Sequence, residues 1–154
     1  INTDPLTGLM NRRGLNYAMT QNMKMNIPFS VLLMDVDHFK NINDNYGHDQ
    51  GDVVLKHIAK TMQQKFRKDD ICCRYGGEEF IIIIPNSNLT EVYESAERFR
   101  KEIAGKEIQD IGHISISIGI ASWPDSSKNI LDVLKTADNN LYRAKDDGRN
   151  CVRY

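Results

Sequence analysis

The stretch Ile71-Cys72-Cys73-Arg74-Tyr75-Gly76-Gly77-Glu78-Glu79-Phe80-Ile81-Ile82-Ile83-Ile84-Pro85 sets two adjacent glycines and two adjacent carboxylates between two runs of β-formers. It predicts a β-hairpin with its turn at Tyr75 to Glu78, the glycines supplying the positive φ that a tight turn needs. The second strand, Phe80 to Ile84, is nearly all isoleucine and is expected to be buried, on both faces of a sheet. A Glu78-Glu79 pair at the mouth of such a strand is costly. Like charges about 4 Å apart repel by roughly 4 kcal/mol at an effective dielectric near 20. Folding alone gives no reason to place them there, whereas a bound cation does. A solvated Glu-Glu beside a glycine turn is also an ordinary surface feature, so this stretch by itself leaves both readings open.

Outward from the hairpin, Phe29 to Met34 reads as an apolar strand that ends in Asp35-Val36-Asp37-His38-Phe39-Lys40. A carboxylate at the carboxyl end of a buried strand is where open α/β sheets place function, and Asp37 reads as the partner of Asp35. Thr3 to Leu9 is turn-rich, and Asn11 leads into a helix through about Lys24, with Leu15, Ala18 and Met19 on one side. Asn41 to Gly47 is too short for more than a turn of helix. From Gly51 an amphipathic helix runs to Phe66, with Val54, Ile58, Met62 and Phe66 recurring every fourth residue. Thr90 to about Ala104 is a helix with Val92, Ala96, Phe99 and Ile103 inward. His113 to Trp123 alternates as one strand, Ile114, Ile116, Ile118 and Ile120 opposite Ser115 and Ser117. Asn129 to about Asp146 is a long helix with Leu131, Leu134, Ala137, Leu141 and Ala144 at helical spacing, stopped by Gly148. Cys151 to Tyr154 is a short strand at an edge. The order predicts an α/β (α+β) fold with a ferredoxin-like β-α-β-β-α-β core, extra helices and a terminal edge strand.

A chain of 154 residues fits one domain over residues 1–154, burying about 68–70% of its unfolded surface. With 40% hydrophobic and 27% charged residues and a net charge of −1, no strong field for nucleic acid or membrane is implied. No apolar run approaches the roughly 18 residues of a membrane span, and no signal-peptide pattern opens the chain. Three cysteines, two of them adjacent, make no disulfide framework and lack zinc-site spacing. A reducing cytoplasm is the expected compartment. Because it starts at Ile1, the chain is expected to be cut from a longer protein.

In the expected topology the first strand and the hairpin are neighbours, so Asp35 and Glu78 or Glu79 can converge at one edge of the sheet. Oxygen ligands without His or Cys suit Mg²⁺ or Mn²⁺. Magnesium is usually shared between carboxylates and substrate phosphates, which points to a nucleotide or another polyphosphate. Two ions roughly 3.5–4 Å apart would stabilise an in-line phosphoryl displacement. Backbone N–H groups of Val36 to Lys40 can cradle phosphate oxygens, with the Lys40 charge beside them. Lys145 and Arg149 are further phosphate candidates, or else ordinary partners of a helix C-terminus worth ~0.3–1 kcal/mol. Asn43 and Asp52 carry the groups to read guanine: a carboxylate accepting from its N1–H and N2–H beside an amide. Asp52 is equally an acid in a helix's first turn.

Together these residues resemble the diguanylate cyclase, or GGDEF, family over essentially the whole chain. The resemblance is carried by Asp4-Pro5-Leu6-Thr7-Gly8-Leu9-Met10-Asn11-Arg12-Arg13, Asp35 to Asp44, Gly47-His48-Asp49-Gln50-Gly51-Asp52 and Arg74 to Phe80. Ser117-Ile118-Gly119 and Ala137-Asp138…Tyr142…Ala144-Lys145…Gly148-Arg149-Asn150 complete it. It implies condensation of two GTP into cyclic di-GMP with release of pyrophosphate, on a fold similar to adenylyl cyclase and the polymerase palm. Each domain of a homodimer would hold one GTP and two divalent ions, Mg²⁺ or Mn²⁺. The resemblance makes Asp35 and Glu79 metal ligands, with the backbone carbonyl of Val36. It makes Glu78 the base for the 3′-OH ahead of a further ligand. It also makes Asn43 and Asp52 the guanine readers, and His38, Phe39, Lys40, Lys145 and Arg149 the phosphate contacts. Arg67-Lys68-Asp69-Asp70 matches an inhibitory product-binding motif, through Arg67 and Asp70 with Arg98 as a second arginine. The alternative is a catalytically silent domain that serves as a receptor for cyclic di-GMP or GTP. In either case the domain itself would bind neither nucleic acid nor membrane, although an absent N-terminal region could tether it.

Overall fold

In the computed structural model, which describes residues 1–154, all eight residues of the strand Phe29–Val36 are buried because helices cover both faces of its sheet. In chain order the elements are α1 (Arg12–Lys24), β1 (Phe29–Val36), α2 (Phe39–Tyr46), α3 (His48–Lys65), β2 (Ile71–Arg74) and β3 (Glu79–Pro85). They continue as α4 (Leu89–Gly105), β4 (Glu107–Ile108), β5 (Gly112–His113), β6 (Ile116–Trp123), α5 (Ile130–Asp146) and β7 (Val152–Arg153). Side chains of a strand alternate between faces. Leu32, Met34 and Val36 therefore enter a core shared with Val54, Ile58, Met62 and Phe99 of α3 and α4. Phe29, Val31 and Leu33 enter a second core with Leu15 and Met19 of α1 and Val133 and Ala137 of α5. The isoleucines of β3 divide in the same way, Ile82 to the first core and Ile81 and Ile83 to the second.

The sheet order is β2-β3-β1-β6-β7, with β1 antiparallel to both neighbours and β7 parallel to β6 at the edge. Its first four strands have the split β-α-β-β-α-β order that the sequence predicts. Three helices start where an asparagine accepts from the first turn: Asn11 from Gly14 N, Asn88 from Glu91 N, and Asn129 from Leu131 N. No helix is long and apolar enough to cross a membrane.

Several local expectations are corrected. The stretch expected to give at most one turn of helix forms the eight-residue α2. Its many Asn and Asp residues are poor helix formers, but Ile42 anchors it in the first core. Gly47, at φ 90°, breaks it from α3, which begins at His48 rather than Gly51. The strand expected from His113 starts at Ile116, and residues 107–113 make a separate two-stranded hairpin, β4-β5. Asp37 N–H donates to Ser115 O at 2.9 Å, in register with the Asp35–Ser117 and Val36–Ile116 pairs, but the chain turns away at His38 (φ 55°), so residues before Ser115 have no β1 partner left to extend the ladder. Leu131 points to solvent, and Val133 fills the core instead. Neither Gly76 nor Gly77 has a positive φ. A four-residue connection needs no left-handed residue, and glycine serves Gly76 differently: a Cβ there would sit 3.3 Å from Glu79 Oε1.

Candidate active site

At the end of β1 the apolar alternation delivers a carboxylate. Asp35 follows Val31 and Leu33 on the α5 side of the sheet and is only 7% exposed. Lys145, from the last turn of α5, donates to its Oδ2, while Oδ1 is buried without a hydrogen-bond partner. Register places Glu79 directly across from Asp35, and Val36 N donates to Glu78 O at 3.3 Å. Burial pushes the Asp35 carboxyl above the usual range, against the opposing hydrogen bond and charge of Lys145. Burial, and then the Asp35 charge, raise Glu78 and Glu79 as well. Three acids thus share one ammonium. No three acidic, imidazole or thiol groups close into a finished ligand set. The orphaned Oδ1 and the all-oxygen donors nevertheless fit a hard divalent cation, and Lys145 supplies the positive charge in its place.

The turn that presents Glu78 is clamped. Tyr75 N and Gly76 N both donate to Glu79 O, at 2.8 and 3.2 Å. Arg74 donates through Nε to Gly76 O and Gly77 O at 3.2 Å each, and through a terminal nitrogen to Gly77 O at 2.8 Å. The same guanidinium pairs with Asp4 at 3.3 Å. Arg12 lies over the Tyr75 ring, 3.9 Å from its centroid.

Beside the turn opens a cleft of about 350 Å³, lined by Phe39, Asn43, Asp52, Arg74, Glu78 and Glu79 among others. Asn43 Oδ1 is buried there without a partner, and Asp52 is exposed. His38 takes a left-handed φ of 55° to start α2 and gives it no side-chain cap, so the first amides of that helix remain free for an anion. His38 also lines a separate hollow with His113 and Asn150. Lys40 and Arg149 are exposed, Arg149 in a left-handed conformation just past α5. Away from this cleft, Arg67, Asp70 and Arg98 line one hollow of about 500 Å³. There Asp70 Oδ2 accepts from Arg67 N at 2.8 Å, and Arg98 donates to Ser95 Oγ at 3.1 Å. Burial raises the Asp70 carboxyl despite Arg67.

Residues 1–151 match the family model described as "Diguanylate cyclase, GGDEF domain". The chain belongs to the GGDEF domain family. It is 39% identical over 153 residues to Diguanylate cyclase DgcM of Escherichia coli, covering 97% of this chain and 37% of that protein. It is 39% identical over 159 residues to Response regulator PleD of Caulobacter vibrioides, covering 97% and 35%. This GGDEF chain therefore spans little more than a third of each of these two relatives. The GGDEF domain of DgcB from Caulobacter crescentus, solved in complex with c-di-GMP, superposes with a TM-score of 0.89 at 32% identity, covering 99% of this chain and 94% of that one.

Two residues of this GGDEF domain have roles that the sequence pattern does not show. Asp37 is no partner of Asp35. It is 5% exposed and accepts from Ser115 Oγ at 2.7 Å, Ser117 Oγ at 2.6 Å and Asn150 N at 3.0 Å. It latches β1, β6 and the chain after α5 together, and so supports the helix end that carries Lys145. Arg74, in sequence only one residue of a motif, holds the turn. Its link to Asp4 spans seventy positions and leaves no local periodicity to detect. The cysteines take no part in this chemistry: burial pushes Cys72 and Cys73 up to about 12, so they stay thiols.

Proposed function

We propose that residues 1–154 act as one diguanylate cyclase domain that joins two GTP into cyclic di-GMP in the cytoplasm. Two copies of the domain face each other, each holding one GTP. The 3′-oxygen of one nucleotide bonds to the α-phosphorus of the other, the bond from that phosphorus to the β-phosphate oxygen breaks, and pyrophosphate departs with the electron pair. Glu78 takes the 3′-OH proton, a role helped by the burial that raises its affinity for protons. Asp35, Glu79 and the Val36 carbonyl would hold two Mg²⁺ or Mn²⁺ ions. Bound there, the ions would polarise the α-phosphate and ease loss of the 3′-OH proton. With Asp35 committed to a cation, Lys145 would be free to reach the triphosphate, and Arg149, Lys40 and the first amides of α2 hold the remaining phosphate oxygens. Asn43 and Asp52 read the guanine edge.

The observation that carries this reading is the buried Asp35 oxygen with no partner, set opposite Glu79 and next to a cleft lined by polar residues. Incubation with GTP and Mg²⁺, with ATP as the control, is expected to give cyclic di-GMP by mass from GTP alone. The rate should rise faster than in proportion to protein concentration, and Glu78→Gln should abolish it. A protein that binds GTP or cyclic di-GMP but makes no product is the silent receptor instead. The shared hollow of Arg67, Asp70 and Arg98 supports a second element of the proposal, inhibition by product. An arginine fork on guanine O6 and N7 and a carboxylate on the Watson–Crick edge suit that ligand. Arg67→Ala should relieve the inhibition and leave the initial rate unchanged.

A further inference from the structure

Gly51 lies near the start of α3 with no left-handed backbone, so no turn requires a glycine there. At such a position alanine is the better helix former. The space explains the choice. A Cβ on Gly51 would come 1.9 Å from Asn43 Oδ1, 3.0 Å from Asn43 Cγ and 3.2 Å from Phe39 Cζ. All three atoms belong to side chains that line the acidic cleft, and none is backbone. The missing methyl is the slot in which the Asn43 amide lies, and Oδ1 is buried in it without a hydrogen-bond partner.

We infer that Gly51 is a positioning residue for guanine recognition: its bare Cα fixes where the Asn43 amide reaches in the cleft. The inference rests on the proposed reading of Asn43 and Asp52 as the groups that meet the base. One segment of α3 then does two things, since Gly51 seats the amide and the next residue, Asp52, supplies the carboxylate. A side chain at 51 leaves the helix intact but drives the amide off its seat, either into the space the base needs or away from it. The domain would hold its fold and lose part of its preference for guanine.

The test uses the full chain with Mg²⁺ and three unreactive probes, 3′-deoxy-GTP, 3′-deoxy-ITP and 3′-deoxy-ATP, with binding measured by calorimetry. The variants are Gly51→Ala, Asn43→Ala and the double variant, each also followed by thermal unfolding. Gly51→Ala is expected to unfold at the parent temperature or above it. It should bind 3′-deoxy-GTP about tenfold more weakly, the effect of one displaced hydrogen bond, and discriminate less against the adenine probe. Because Gly51 acts through Asn43, the double variant should bind no more weakly than Asn43→Ala alone. Parent-like binding by Gly51→Ala overturns the inference, as does a double variant weakened by the product of the two single effects. A clear fall in the unfolding temperature of Gly51→Ala also overturns it, because the glycine then serves packing. If Asn43→Ala leaves guanine preference untouched, the reading of Asn43 fails and takes the inference with it. That outcome is told apart by Asn43→Ala alone.

Discussion

Replacing Arg74 with alanine removes the clamp on the turn that carries Glu78. The guanidinium holds Gly77 O at 2.8 Å, shares Nε between Gly76 O and Gly77 O at 3.2 Å, and pairs with Asp4 at 3.3 Å, the two side chains being 19% and 17% exposed. A well-made bond from a cationic donor is worth about 1.5–3 kcal/mol, and the shared Nε bond less. The ion pair, partly open to water, adds about 1 kcal/mol. Asp4 is not orphaned by the change, since the Thr7 N–H and O–H still donate to it at 2.9 and 2.7 Å. The expected loss is therefore about 3 kcal/mol, and the turn strand should loosen, so product formation falls further than stability does. Urea unfolding of Arg74→Ala, Asp4→Ala and the double variant measures it, with a coupling of about 1 kcal/mol between the two positions. Burial pushes the Asp4 carboxyl up, but the Thr7 and Arg74 contacts outweigh this and hold it below the usual range. Its contribution is thus complete above the ordinary carboxylate value, near about 4, and disappears as pH falls through the lowered folded value. The coupling should vanish in the same acid range. An Arg74→Ala protein within about 0.5 kcal/mol of the parent, or a coupling of zero at neutral pH, would refute the clamp.

Gly119→Ala should destabilise by about 3 kcal/mol and displace α5. A Cβ there would meet Ala137 O and Leu141 N at 2.2 Å each, both backbone atoms that cannot step aside. Loss of product formation beyond the loss of fold would show that Lys145 had moved with the helix. The metal-free acid cluster should also leave a signature in pH. Asp35, Glu78 and Glu79 are all raised, by burial first. The folded protein therefore holds protons that the unfolded chain has already lost, and these groups cost stability as pH rises through their folded values. Relative to an Asp35→Asn/Glu78→Gln/Glu79→Gln variant, the parent should gain stability on acidification towards about 4. Saturating Mg²⁺ should flatten the difference, and identical pH profiles for the two proteins would contradict it.

The sheet was legible because its strands carry period-two patterns with unusually apolar faces. Ile114, Ile116, Ile118 and Ile120 all enter the expected core, and both faces of β3 are covered as its isoleucine run requires. The candidate carboxylates were legible for the same reason, since Asp35, Glu78 and Glu79 interrupt patterns that burial would otherwise continue. What escaped depends on tertiary contact. The extent of α2 follows from the burial of Ile42 against poor local propensity, and the break before Ile116 follows from the chain leaving β1 at His38, which ends the partner that the earlier residues would pair with. The buried latch at Asp37 and the Asp4–Arg74 clamp join distant segments through single side chains, for which one sequence offers no spacing rule.

The most direct test of the acid cluster is anomalous diffraction from crystals of this chain grown with Mn²⁺ and 3′-deoxy-GTP. The account predicts manganese density bounded by Asp35, Glu79 and the Val36 carbonyl, with the Lys145 ammonium released from Asp35 and resting on the triphosphate. A Lys145 still bound to Asp35, with nucleotide in the cleft and no manganese beside those carboxylates, would contradict it.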